Sequence, residues 1–137
     1  MDRLNTKSML YHRNLLSEQE RFCPMCSSQA EETVLHLLFA CNFARRCWSI
    51  LNIDWPNGNS IEDLIMQYMR TTALPSFLEI CTIAMWELWK IRNRKVFDNE
   101  YASVRRWIHQ FKDEAFLQSI RFKESTRITF VSWLNSL

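Results

Sequence analysis

Apolar residues recur at helical spacing through most of this chain. Thr6 is a candidate cap for a short helix over Lys7 to Arg13, and Asn14 suits a left-handed stop. Glu31 to Phe39 reads as a helix with carboxylates in its first turn and Leu35, Leu38 and Phe39 on one face. Asn42 is placed to cap the next one, in which Phe43, Cys47, Ile50 and Leu51 recur at i, i+4, i+7 and i+8. The clearest break is Asp54-Trp55-Pro56-Asn57-Gly58-Asn59. Ser60 with Asp63 resembles a capping box, followed on one face by Ile61, Leu64, Ile65, Tyr68 and Met69. Pro75 and Ser76 open the longest helix, roughly Phe77 to Phe97, whose first part is apolar on every side and is expected to run through the core. Ser103 is expected to cap a last long helix carrying Val104, Trp107, Ile108, Phe111 and Ala115. From Thr126 to Leu137 the pattern fits either a strand or a docked helical or irregular segment. No second strand is evident to pair with it, which favours the latter.

This pattern predicts an all-α fold, a compact bundle of about five or six helices. Composition agrees. One glycine in 137 residues is too few for a hairpin-rich fold, and six Trp with nine Phe supply a large core. A single domain over 1–137 is expected, with one subregion at 1–56, where four of the five cysteines lie, and a helical subregion at 60–137. The apolar run Phe77–Trp89 is interrupted by Glu79 and Glu87 and falls short of the ~20 residues that a spanning helix needs, so no membrane role is expected. The start, Met1-Asp2-Arg3-Leu4-Asn5, has no apolar stretch of a secretion signal. Five cysteines is an odd number for a disulfide scaffold. An intracellular, reducing compartment (nucleus or cytoplasm) is expected, where clustered cysteines more often hold metal.

The cluster is Cys23-x2-Cys26-x9-His36-x4-Cys41. A Cys-x-x-Cys turn offers two thiolates to one ion, a helix delivers His36, and the residue beyond its end delivers Cys41. Three thiolates and one imidazole complete a tetrahedral Zn2+ shell with no position left for water, which makes the expected site structural rather than catalytic. Cys47 is the alternative to Cys41, and His12 to His36; Cys47 and Cys81 otherwise read as buried thiols. No phosphate-binding glycine loop exists, since Gly58 stands alone. Adjacent carboxylates such as Glu31-Glu32 and Asp113-Glu114 point apart on a helix and read as surface or cap residues. A catalytic Cys81–His109 pair has only composition behind it. The chain is therefore read as a non-enzyme.

Asp2-Arg3-Leu4-Asn5-Thr6-Lys7, Cys23-Pro24-Met25-Cys26, Glu31 to Leu38 and Cys41 to Trp48 together resemble the zinc-binding domain of plant reverse transcriptases, found downstream of the polymerase in non-LTR (LINE-type) retrotransposons. Trp86 to Phe97 is similar to the C-terminal part of such polyproteins. The resemblance implies zinc roles for Cys23, Cys26, His36 and Cys41, and a stand-alone transposon-derived product or an excised fragment. It also implies an accessory role in binding RNA or DNA. Candidate phosphate contacts are Arg45, Arg46, Lys90, Arg92, Arg94, Lys95, Arg105 and Arg106. Against this stand a net charge of only +2 and a helical projection that splits Lys90/Arg94 from Arg92/Lys95. The alternative is a protein-interaction module, a domesticated adaptor, inhibitor or antagonist, acting through an exposed aromatic patch.

Overall fold

The structure, a computed structural model, describes residues 4–137. Asp2 and Arg3, part of the resemblance above, lie outside the described residues. Six α-helices follow one another: α1 (Lys7–His12), α2 (Asn42–Ile50), α3 (Ile61–Met69), α4 (Phe77–Asp98), α5 (Val104–Ser119) and α6 (Glu124–Asn135). A 3-10 turn (Glu18–Glu20) and a π-type turn (His36–Ala40) lie between α1 and α2. Among the described residues there is no β-strand, and a single antiparallel bridge joins Phe22 to Glu31. The all-helical expectation holds.

The helix starts are set by side-chain caps that satisfy otherwise unpaired backbone N–H groups. Thr6 accepts from the Met9 N–H (3.3 Å), Ser60 from Asp63 (3.2 Å) and Ser103 from Arg106 (3.0 Å). Left-handed residues mark several stops: Asn14 (φ 58°) follows α1, and Asn99 (φ 51°) ends α4. Asn42 is the first residue of α2 rather than its cap. The capping position belongs to Cys41, whose carbonyl accepts from the Arg45 N–H at 2.8 Å. Residues 126–137 fall within or just after α6, so Ser103 does not open the last helix.

α5 lies at the centre, packed against α4, α6 and α2. Trp48, Trp107, Phe39, Phe111 and Phe130 are all but completely buried. Trp55, placed by the irregular segment after α2, is a hub: its ring centroid lies 5.0 Å from Phe39, 5.2 Å from Trp48, 5.2 Å from Tyr68 and 6.0 Å from Phe77. This cluster ties α2, α3 and α4 together through rings that each bury a large apolar area. The loop around Gly58 is packed from below by α3. A Cβ at Gly58 would sit 2.6 Å from Leu64 Cδ2, and Leu64 is itself buried. Gly58→Ala is accordingly expected to cost about 1–3 kcal/mol through overpacking, read as a lowered midpoint in urea unfolding.

Two local expectations change. Glu31 to Thr33 are not helical; Glu31 forms the bridge with Phe22, and the helical turn begins only after Thr33. α4 is not enclosed on every side, since Leu78 is 50% and Trp86 53% exposed. No helix among the described residues is long and apolar enough to cross a membrane.

Candidate metal centre

The segment from Arg21 to Glu32 doubles back on itself. The Cys23 N–H donates to the Ala30 carbonyl (2.8 Å) and the Glu32 N–H to the Arg21 carbonyl (2.9 Å), closing a tight loop that turns at Gln29 (φ 56°). Within it the Met25 N–H donates to Cys23 Sγ at 3.4 Å, which orients that sulfur. The loop thus presents Cys23 and Cys26 towards the chain that follows.

That chain delivers the other two donors. Thr33 Oγ1 accepts from the His36 N–H at 3.0 Å, starting the turn that carries the imidazole. The turn is of the wide π type: the Cys41 N–H reaches the His36 carbonyl, five residues back, at 2.7 Å. In α-helical register, residues five apart are well separated around the cylinder. The widened turn brings His36 and Cys41 to one side, which an x4 spacing would not do in a regular helix.

The four ligand atoms of Cys23, Cys26, His36 and Cys41 all lie within 4.8 Å of one another. Cys23 Sγ is 3.9 Å from Cys41 Sγ, and Cys26 Sγ is 3.4 Å from His36 Nε2. Corners of a zinc tetrahedron with ordinary bond lengths are about 3.8 Å apart for two sulfurs and about 3.5 Å for sulfur and nitrogen. The two observed separations fit a single ion at the centre. Three thiolates and an imidazole are also the donor chemistry that zinc prefers, and the cluster is suited to one zinc ion. Cys23 and Cys41 are buried, whereas Cys26 and His36 are partly exposed, so the site sits at the edge of the core.

The electrostatics favour an anionic sulfur at Cys41. Cys41 is lowered to about 5, first by the hydrogen bond from the Cys23 thiol and then by the Phe43 and Ala44 N–H groups at the start of α2. Cys23 moves up, because in that pair it is the donor, and burial adds to the effect. Cys47 and Cys81 stand apart from the cluster and are fully buried. Burial raises both thiols, Cys81 to about 12. Neither alternative ligand is in the group: Cys47 is a core thiol and His12 Nε2 sits 3.2 Å from Glu31 Oε1. Cys81 is fully buried while His109 is exposed.

Five of the basic residues singled out from the sequence are engaged by other groups of the chain. Arg92 is 2% exposed and gives Nε and one Nη to the carboxylate of Glu32, at 3.0 and 2.6 Å. Glu32 is itself fully buried and accepts the Lys7 N–H at 2.7 Å, which corrects its reading as a surface or cap residue. Lys90 pairs with the buried Glu87 (2.7 Å), Arg94 bonds Gln110 (3.0 Å) and Arg106 pairs with Glu100 (2.8 Å). Arg45 bonds the Ala40 carbonyl (3.1 Å) and Asn57 (3.3 Å), and Lys95 is half-buried. Arg46, lying over the Phe43 ring at 5.7 Å, and Arg105 are exposed.

What the sequence reading missed is an apolar groove on α4. It encloses about 240 Å³, is lined by Leu4, Leu38, Thr82, Met85, Trp86 and Trp89, and presents no polar atom. Leu78, one turn before Thr82 on α4, is also half-exposed.

Residues 1–48 match the family model described as zinc-binding in reverse transcriptase. This is a zinc-binding domain, not a catalytic one, and the match spans the first third or so of the 137 residues. No curated protein and no solved structure matches the chain.

Proposed function

We propose that this chain, which opens with the zinc-binding module of reverse transcriptases, is a non-catalytic interaction module in which one structural zinc orders the N-terminal loop and α4 docks a protein partner. The four-donor cluster supports the structural zinc, because Cys23, Cys26, His36 and Cys41 complete a shell without an open position. The residues 1–56 and 60–137 are read as subregions of one domain, and the buried core draws on both. Thiolate ligands suit the intracellular, reducing compartment expected from the sequence.

The observation that carries the docking role is the α4 groove. Its walls are apolar, Trp86 stands half-exposed at its edge, and the nearby cations Lys90 and Arg92 are already committed to Glu87 and Glu32. A groove of this kind takes an apolar anchor from a partner, and a Trp at its rim is the residue type that dominates interface energetics. An adaptor or antagonist derived from a plant LINE-type element is the origin consistent with this reading.

The test is selection from a peptide library displayed on phage. The wild-type chain is expected to select peptides with a bulky apolar anchor, bound with little salt dependence, and Trp86→Ala is expected to weaken them at least tenfold. Arg46 and Arg105, exposed and without an ion pair among the described residues, favour the second reading, accessory RNA or DNA binding. Failure to select peptides, with single-stranded RNA bound in a steeply salt-dependent way and released by Arg46→Glu/Arg105→Glu, would establish that reading instead.

A further inference from the structure

The loop that carries Cys23 and Cys26 and the groove on α4 are joined by one continuous set of contacts. Glu32 follows directly on that loop, and its backbone closes it: the Glu32 N–H donates to the Arg21 carbonyl, on the far side of the Phe22–Glu31 bridge from the Cys23–Ala30 hydrogen bond. The Glu32 carboxylate holds Arg92 by two hydrogen bonds, sixty residues away in sequence. The Arg92 guanidinium in turn lies 4.8 Å from the centre of the Trp89 ring and 5.9 Å from that of Phe97. Trp89 is a wall of the apolar groove.

Each joint has a physical reason to respond to the one before it. Without an ion, four donors that converge within 4.8 Å of one another are held only by the Cys23–Cys41 hydrogen bond and the Cys26–His36 contact, which are weak beside four metal bonds. The bridge at Phe22 and Glu31 and the two backbone bonds beside it are then left to keep Glu32 in place. If Glu32 withdraws, Arg92 cannot remain where it is, since an unpaired guanidinium at 2% exposure is strongly disfavoured and its way out is to solvent. A guanidinium that leaves takes its contact with Trp89 and Phe97 with it. The last turns of α4 offer little to resist this, because Phe97 is 74% exposed and Asp98 and Asn99 are exposed.

We propose that zinc occupancy of the Cys23–Cys41 knot controls the C-terminal half of α4, and through Trp89 the apolar groove, by way of the Glu32–Arg92 ion pair. This rests on the zinc and docking readings above. It makes the groove a metal-dependent surface: formed in the loaded protein, loosened in the stripped one. Arg92, conspicuous in the sequence as a phosphate contact, is on this account the internal link between knot and groove.

Amide hydrogen exchange on the full chain, read by mass spectrometry with and without chelator and with zinc measured on the same samples, tests the coupling. Chelation is expected to raise exchange at least tenfold both in 23–41 and in 89–98, while 107–119 and 124–135 stay protected. Glu32→Gln/Arg92→Met, which replaces the pair without stranding a charge, is expected to keep zinc but uncouple the two regions, so that chelation opens 23–41 alone. Chelation that opens 23–41 alone in the wild type, or that still opens 89–98 in the double variant, would overturn the coupling. Zinc absent from every preparation would overturn it at the level of the metal, whereas loss of peptide binding on Trp86→Ala bears on docking alone.

Discussion

Arg92→Ala is expected to destabilise the protein by about 3–5 kcal/mol, the range for breaking one partner out of a buried ion pair. The cause is the carboxylate left behind. Glu32 is fully buried, and without Arg92 its remaining side-chain partner is the Lys7 N–H. Glu32→Ala should cost a comparable amount by stranding Arg92. The double replacement Glu32→Gln/Arg92→Met should cost much less than the sum of the two single ones, because the attraction within the pair mainly offsets the desolvation of both charges. Urea unfolding of the three variants, compared at equal slope, checks this. A double variant as damaged as the sum would mean that the two residues act independently.

The second large effect is on the metal. Cys41→Ala removes a sulfur that is fully buried and anchored at the start of α2, and is expected to weaken zinc binding by more than the roughly 10–100-fold typical of changes around a metal site. Cys47→Ala and Cys81→Ala are expected to leave zinc affinity unchanged, as both thiols lie outside the four-donor group. Competition with a chromophoric chelator measures all three. Folding outside the knot should persist in Cys41→Ala, since α4, α5 and α6 pack on one another through Trp107, Phe111 and Phe130 without help from the loop.

Much of what is decided locally was legible in the sequence, although Asn42 proved to be the first residue of α2 and not its cap. Thr6, Ser60 and Ser103 cap the helices expected of them, because a hydroxyl in reach of an unpaired N–H acts within three residues. α4 runs from Phe77 to Asp98, one residue beyond expectation, because its apolar periodicity is long and its stop is an asparagine suited to left-handed backbone. The zinc pattern was legible because metal geometry constrains residue type and spacing together.

What could not be read depends on distant partners. Glu31-Glu32 looks like a helix start, and it took Arg92, sixty positions on, to draw Glu32 into the interior. In the basic run from Lys90 to Lys95, the sequence gives no sign that Glu87, Glu32 and Gln110 engage Lys90, Arg92 and Arg94. The π-type turn at His36–Ala40 exists to bring His36 and Cys41 to one side, and helical propensity carries no trace of it. The exposed side of α4 was hidden for the opposite reason. A uniformly apolar stretch does not say which of its faces will lack a neighbour, and Leu78 and Trp86 turned out to lie on that one.

The central claim is a single zinc held by three sulfurs and one nitrogen of this chain. X-ray absorption at the zinc edge, with metal content determined on the same purified protein, addresses it most directly. The account predicts one zinc per chain, three sulfur neighbours at about 2.3 Å and one nitrogen at about 2.0–2.1 Å, with the spectrum unchanged in Cys47→Ala. A purified protein that carries no zinc although its 23–41 knot is ordered, a shell containing water oxygen, or a spectrum that loses a sulfur in Cys47→Ala would contradict it.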